Sequence, residues 1–371
     1  MPWNLLFAAF VAALDFQGVA LTSGSQEPKR LIIDTDMSTD CDDVAALCIA
    51  HALEDQGLAK LVAVVHNTGY PEGVGAVSSI NNYYGRNGIP IGAFKGKFGS
   101  QLPGPYVKDL VSRFPGPIRN YSQVPEAVEV YRRVLAEQPD HSVTIASIGF
   151  MTNLALLLQS KPDDNSPLTG TELVALKVST IACMGGIYPS SGAEHEWNFG
   201  GGNQENVTQP DPVSSAASSF AIAHMPRSVE VVFSGLHVGG RIFTGARLTD
   251  CSHSNNPCRQ AYIDYRGAGN NRESWDPATT LLAVTGISSE YSVQGLDGRC
   301  VVNPVDGSNN WQASGDWWQR SKFWLGFKGD SLFNQSYLVL REGQNLSIAR
   351  IIDELLCQPP QVRGEVPIVI S

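Results

Sequence analysis

The sequence predicts an α/β fold, a mostly parallel sheet flanked by helices, and three observations carry that prediction. Runs 31–33, 61–65 and 89–93 are short and almost continuously apolar, the pattern of strands buried on both faces. The stretches between them, one ending near Leu53 and one over 75–86, read as helices. Polar residues gather where strands end, at Asp36 and Asn67, and parallel sheets bind ligands beyond those carboxyl ends.

The first strand leads into the densest chemistry of the chain. Asp34, Asp36, Asp40, Asp42 and Asp43 fall within ten residues, just before a helical run. Carboxylates packed this closely repel one another, and burial adds a desolvation cost. A hard divalent cation bound among them reverses both penalties. Helix capping by Asp40 or Asp42 accounts for one acid but not for the group.

Beyond the third strand, 95–125 is rich in Gly and Pro and reads as a loop, a lid or a plain connection. A helix over 128–137, a strand over 142–149 and a helix over 150–158 follow. Then come a strand over 173–184 closed by Gly185 and Gly186, and a polar loop over 194–202 with Trp197 at its centre. A strand over 229–233 precedes a helix opening at 274–282, with Asp276 at its cap and Pro277 in its first turn. From Val301 short strands alternate with Trp-rich turns until a final helix over 348–356. No repeat or linker divides the chain.

At 371 residues, 43% hydrophobic and 17% charged, the chain can bury a sizeable core. A formal charge of −10 argues against a nucleic-acid partner. The apolar run 5–14 is too short to span a bilayer and precedes small residues at Gly18 and Ala20. It reads as a signal peptide over 1–20, leaving one domain over 21–371 in a secreted protein. The sequons at Asn120, Asn206, Asn334 and Asn345 agree with that location. No later run is a membrane span. Seven cysteines leave at least one unpaired within the chain. Cys41, Cys48 and Cys183 read as buried small residues, Cys251 and Cys258 as able to close a loop, and Cys300 and Cys357 as long-range partners.

Six motifs in order give the chain a resemblance. They are Asp34-Thr35-Asp36 with Asp42-Asp43, then Val64 to Asn67, Ile148 to Leu154, Met184 to Gly186, Glu196-Trp197-Asn198, and Trp275-Asp276-Pro277. Together they resemble the inosine/uridine-preferring nucleoside hydrolase family over most of the mature chain. The resemblance implies a doubly wound, nucleoside-hydrolase-like α/β fold and one tightly bound Ca²⁺. It implies that Asp36, Asp43, the Ile148 carbonyl and Asp276 hold the ion, with two ribose hydroxyls and a water completing its shell. Calcium accepts seven or eight oxygens in loose geometry, so it can seat a diol beside a nucleophile. Asp36 would take the proton from that water for attack at C1′ of an oxocarbenium-like ribosyl group. Asp42, Asn67, Glu196 and Asn198 resemble the residues that fix the sugar.

Trp275 stands where purine-preferring relatives stack the base on Trp and others carry a His, which leans the reading towards purine nucleosides. A core aromatic at a helix start is the plainer account of Trp275. His195 is the candidate alternative acid, His66 a pocket or structural residue, and Asp34 an inner hydrogen-bonding support. Two departures stand out: the acidic turn is two residues longer than the shortest family form, and an insertion spans 200–210. The partner expected is a small nucleoside, with no membrane and with a homo-oligomer left open. Rival readings are a non-catalytic nucleoside- or sugar-binding protein on this fold and a metal-dependent phosphohydrolase. The second also begins with Asp-x-Asp after a strand but needs a later lysine motif that is missing here.

Overall fold

The computed structural model describes residues 27–99, 104–189, 195–200, 211–313 and 334–361. The expected signal peptide over 1–20, the Asn206 sequon, most of the expected 200–210 insertion and most of the Trp-rich tail lie outside these residues.

The described strands are β1 (Lys29–Thr35), β2 (Ala59–His66), β3 (Ile91–Ala93), β4 (Val143–Ser147), β5 (Val178–Met184), β6 (Glu230–Ser234), β7 (Phe243–Thr244), β8 (Arg272–Glu273), β9 (Tyr291–Gln294), β10 (Gly298–Val302), β11 (Asn309–Ala313) and β12 (Gln335–Leu340). Eight of them form one sheet in the order β3-β2-β1-β4-β5-β6-β12-β9. All its pairings are parallel except β12 with the edge strand β9. The order runs outward from β1 in one direction and from β4 in the other, which defines a doubly wound sheet. β10–β11 and β7–β8 are separate antiparallel pairs.

Strand residues alternate between two cores. Leu31, Ile33, Val64, Ala146 and Val232 pack on one face beneath helices Asp42–Asp55, Gly73–Tyr83, Trp275–Thr285 and Asn345–Leu356. Ile32, Val65, Ile145, Ile181 and Phe233 pack on the other beneath helices Ala127–Glu137, Thr152–Gln159 and Gly170–Lys177. Burial on both faces explains why these strands lack polar alternation.

Four expectations are corrected. The run 173–184 is not all strand: helix Gly170–Lys177 hands over directly to β5. Its start is fixed by a capping box in which Thr169 accepts from the Glu172 N–H. The segment 95–125 contains the helix Val107–Arg113 and a 3₁₀ turn at Tyr121–Gln123. Cys251 pairs with Cys357, not with Cys258, and ties the end of the last helix to the turn Leu248–Cys251. Cys48, read as a buried small residue, bridges helix Asp42–Asp55 to helix Pro257–Arg266 through Cys258. Cys41, Cys183 and Cys300 are free and buried. Asn334 donates its side-chain amide to the Pro226 and Val229 carbonyls, so this sequon is engaged within the fold. Among the described residues no helix is long and apolar enough to cross a membrane.

Candidate active site

The sheet turns outward in opposite directions at the boundary of β1 and β4, and the chain's acids sit there. β1 delivers Asp34 beside Ser147 of β4 and Val65 of β2. Asp34 is fully buried and faces three donors: Asn67 Nδ2 at 3.0 Å, Asn153 Nδ2 at 2.9 Å and the Tyr131 hydroxyl at 2.8 Å. Burial pushes its carboxyl up to about 7, against those three bonds. Asp34 thus clamps the strand ends together. Thr152 Oγ1, bonded to the Asn67 carbonyl at 2.5 Å, fixes the same corner from the next helix.

Gly149 shows how closely the chain packs here. A Cβ on it would lie 2.6 Å from both the main-chain nitrogen and Oδ1 of Asp36, and 2.7 Å from Asn67 Nδ2. Only glycine lets β4 end this near the acidic turn.

Above the strand ends lies a cavity of about 200 Å³. Of the residues singled out in the sequence, Asp36, Asp42, Ile148, His195, Glu196, Asn198, Trp275 and Asp276 line it. Asp43 and Asn67 are buried but absent from its wall, Asp43 taking a hydrogen bond from the Thr35 hydroxyl. Asn67 Oδ1 is buried with no partner among the described residues. His66 lies deeper, its ring nitrogens 3.1 Å from the Thr68 carbonyl and 3.3 Å from that of Met37. Burial lowers its pKa to about 4, against these two contacts, and the ring packs under the acidic turn.

Asp276 reaches this wall from the start of helix Trp275–Thr285. The helix is not capped by its own sequence. Asp42 Oδ2 accepts from the main-chain N–H groups of Trp275 at 3.1 Å and of Asp276 at 3.2 Å. Asp276 therefore occupies the first turn, not the cap expected for it, and the acid that satisfies the orphaned N–H groups comes from the other end of the chain.

Burial raises the pKa values of Asp36, Asp42, Asp43 and Asp276 well above the ordinary range. Neighbouring carboxylates push them further: Asp40 acts on Asp36 and Asp42, Asp36 on Asp43, and Asp42 on Asp276. This set of oxygens carries more negative charge than the nearby Arg272 offsets, and it suits a hard cation. Among the described residues, no group of three or more His, Cys, Asp or Glu already stands in an arrangement that could hold a metal.

The opposite wall comes from 195–200. Glu196 accepts from the N–H of Gly186 at 2.9 Å and of Asn198 at 2.8 Å, and burial raises it to about 7. Asn198 Nδ2 donates to the Met184 carbonyl at 3.1 Å. These bonds dock the turn Trp197–Gly200 on the end of β5. Trp197 hydrogen-bonds Asp36 and leans on Phe150, ring centres 5.6 Å apart. His195 Nε2 is buried without a partner among the described residues.

Trp275 donates Nε1–H to the Leu236 carbonyl at 2.9 Å, so its indole plane is fixed. Arg272, not among the residues singled out in the sequence, lines the cavity with its Cζ 4.7 Å from the Trp275 ring centre and its Nη2 2.6 Å from Asp40 Oδ2. A lone basic residue just before the Trp-Asp-Pro motif was the available signal. Asp40, read as a candidate helix cap, is its partner.

The doubly wound sheet with an oxygen-lined cavity at its switch point is the frame of a hydrolase of N-glycosyl bonds, and known proteins share it. The family model of inosine-uridine preferring nucleoside hydrolases matches residues 31–298, and the chain belongs to that family. Solved structures agree in fold. A plant nucleoside hydrolase superposes with a TM-score of 0.61 at 18% identity, covering 90% of this chain and 100% of that one. An inosine-guanosine nucleoside hydrolase gives 0.62 at 16%, covering 89% and 98%. A type III effector protein solved with adenosine diphosphate ribose gives 0.55 at 14%, covering 91% and 95%. No curated protein matches the chain significantly.

Proposed function

We propose that this protein is a calcium-dependent N-ribohydrolase that releases free base and ribose from nucleosides, with a preference for purines. The observation that carries the reading is the meeting of Asp36, Asp42, Asp276 and Ile148 on one cavity wall with Trp275 beside them. In this reading Asp36, Asp43, Asp276 and the Ile148 carbonyl hold Ca²⁺. The ion, when bound, supplies the positive charge that the carboxylate cluster lacks and a seat for oxygen ligands.

The chain's own residues do the rest. Asp36 accepts a proton from a water as its oxygen attacks C1′. The C1′–N bond breaks, its electron pair leaves with the base, and the base gains a proton from solvent. Trp197 orients Asp36 through its hydrogen bond. Asp42, Glu196 and Asn198 line the cavity where ribose hydroxyls would sit, and Asn67 supports that end from behind through Asp34. Trp275, with its plane fixed, offers a stacking face for the base. The two disulfides suit the oxidising location that a leader over 1–20 would give a secreted protein.

Ribose release from inosine, guanosine, adenosine, uridine and cytidine tests the reading, with Asp36→Asn as control. Release that falls at least about 10³-fold in the variant is expected. Binding of nucleosides without release would instead favour a non-catalytic nucleoside- or sugar-binding role on this fold.

A further inference from the structure

The rings of Phe98, Phe150 and Trp197 form a row that ends on Asp36. Phe98 meets Phe150 edge-on, with centres 4.7 Å apart and planes at 88°, and Phe150 meets Trp197 at 5.6 Å and 53°. Trp197 hydrogen-bonds Asp36, and an indole N–H can only donate, so the carboxylate accepts. Trp197 and Asp36 line the cavity, whereas Phe98 and Phe150 are absent from its wall. Phe98 is anchored from outside: its carbonyl accepts from the Gly69 N–H at 2.7 Å, just past the end of β2. A Cβ on Gly69 would collide with the Gly96 carbonyl oxygen, so glycine lets 96–98 lie against the strand end. Phe150 is buried and directly follows Gly149, the residue packed on Asp36. The segment 95–125 thus contributes the outermost ring of a row that reaches the acidic turn.

We propose that Phe98 is a positioning residue: through Phe150 and Trp197 it holds the Asp36 carboxylate in the orientation that takes the proton from water. The inference rests on the reading of Asp36 as the base and extends it to a side chain outside the cavity. An edge-to-face pair has a preferred geometry, so Phe98 restricts where the Phe150 ring stands as well as filling space. Phe150 in turn limits the tilt of the Trp197 indole, whose single N–H must point at the carboxylate. The bonds of Glu196 and Asn198 dock the chain on either side of Trp197 and leave the tilt of its indole to Phe150. Proton transfer depends on such orientation, and misplacement by about 1 Å costs about 10²-fold in rate.

The test is kcat and KM for ribose release from inosine in the wild type, Phe98→Ala, Phe98→Leu, Trp197→Phe and the double variant Phe98→Ala with Trp197→Phe, with thermal unfolding of each. Phe98→Ala should lower kcat about 10- to 100-fold and leave KM within about 3-fold, a loss confined to the reacting step. Phe98→Leu, which fills the space without the ring edge, should fall between, and it carries the comparison if Phe98→Ala unfolds below the assay temperature. Once Trp197→Phe has removed the donor, Phe98→Ala should cost less than about 2-fold more, because the two act in series. A second readout needs no turnover. The emission of Trp197, taken as the difference between spectra with and without Trp197→Phe, should lie further to the red in the Phe98→Ala background. Equal losses of kcat in both backgrounds would make Phe98 packing alone and overturn the proposal. So would a raised KM with kcat unchanged, or a Trp197 emission that does not move. Absence of release from every nucleoside by the wild type would instead remove the reading of Asp36 as base, and this inference with it.

Discussion

Asp42 caps the helix that presents Asp276, a residue 234 positions further along the chain, through a bond of 3.2 Å from the Asp276 N–H. The first acidic turn thereby positions the last acid of the site. Removing the cap should loosen both. Asp42→Ala is expected to lower unfolding free energy by about 0.5–2 kcal/mol, the usual value of a helix cap, and to reduce activity. Asp42→Asn keeps an acceptor and should recover most of the stability. Denaturant unfolding of the two variants distinguishes them; equal losses would show that charge, not capping, is what Asp42 supplies.

Gly149 is the second point at which backbone sets the site. Gly149→Ala drives a methyl against the main-chain nitrogen of Asp36, which has no flexible end to swing away. The acidic turn must shift, and displacements of this kind cost about 10²-fold in rate. Stability should fall by roughly 1–3 kcal/mol, as for other overpacked sites. Parallel measurement of kcat/KM and thermal unfolding checks both figures.

The strands were legible because a parallel sheet covered on both faces requires continuous apolar runs, and 31–33 and 61–65 have them. The run 173–184 misled because Leu173, Val174 and Leu176 satisfy either period, and helix Gly170–Lys177 passes into β5 with no Gly or Pro between. Thr169 and Glu172 were the signal to heed. At the site, Asp36, Ile148, Asn198 and Asp276 could be read by resemblance. Arg272 could not, since its meaning lies in Asp40, Trp275 and Tyr265, which only the folded chain assembles. The disulfide partners were equally out of reach, being set by helix packing and not by spacing.

Protonation of His51, well away from the cavity, should cost stability. Its Nε2 lies 2.9 Å from Asn81 Oδ1, its Nδ1 3.3 Å from Arg86 Nη1, and its ring stacks on Tyr84. Asp55 and Glu54 pair with Arg86. One neutral tautomer serves both contacts, donating to Asn81 and accepting from Arg86. Burial, then Arg86, lower its pKa from 6.5 to about 3. Between those values the unfolded chain holds a proton that folded His51 refuses, so the His51 contribution to stability rises with pH across that window and is lost on acidification, opposite in sign to the raised carboxyls of Asp34 and Glu196. The slope from one such group reaches about 1.4 kcal/mol per pH unit. His51→Gln should be less stable at neutral pH and should show a shallower dependence between pH 4.5 and 6.5. An unchanged slope would locate the acid sensitivity elsewhere.

In the function proposed, the carboxylates gathered by β1 and helix Trp275–Thr285 hydrolyse nucleosides only with calcium among them. Ribose release from inosine, followed before chelation, after exhaustive chelation and after calcium is restored, tests it most directly. Release should be lost on chelation and return when calcium is restored. Release that continues undiminished after calcium has been stripped would contradict it.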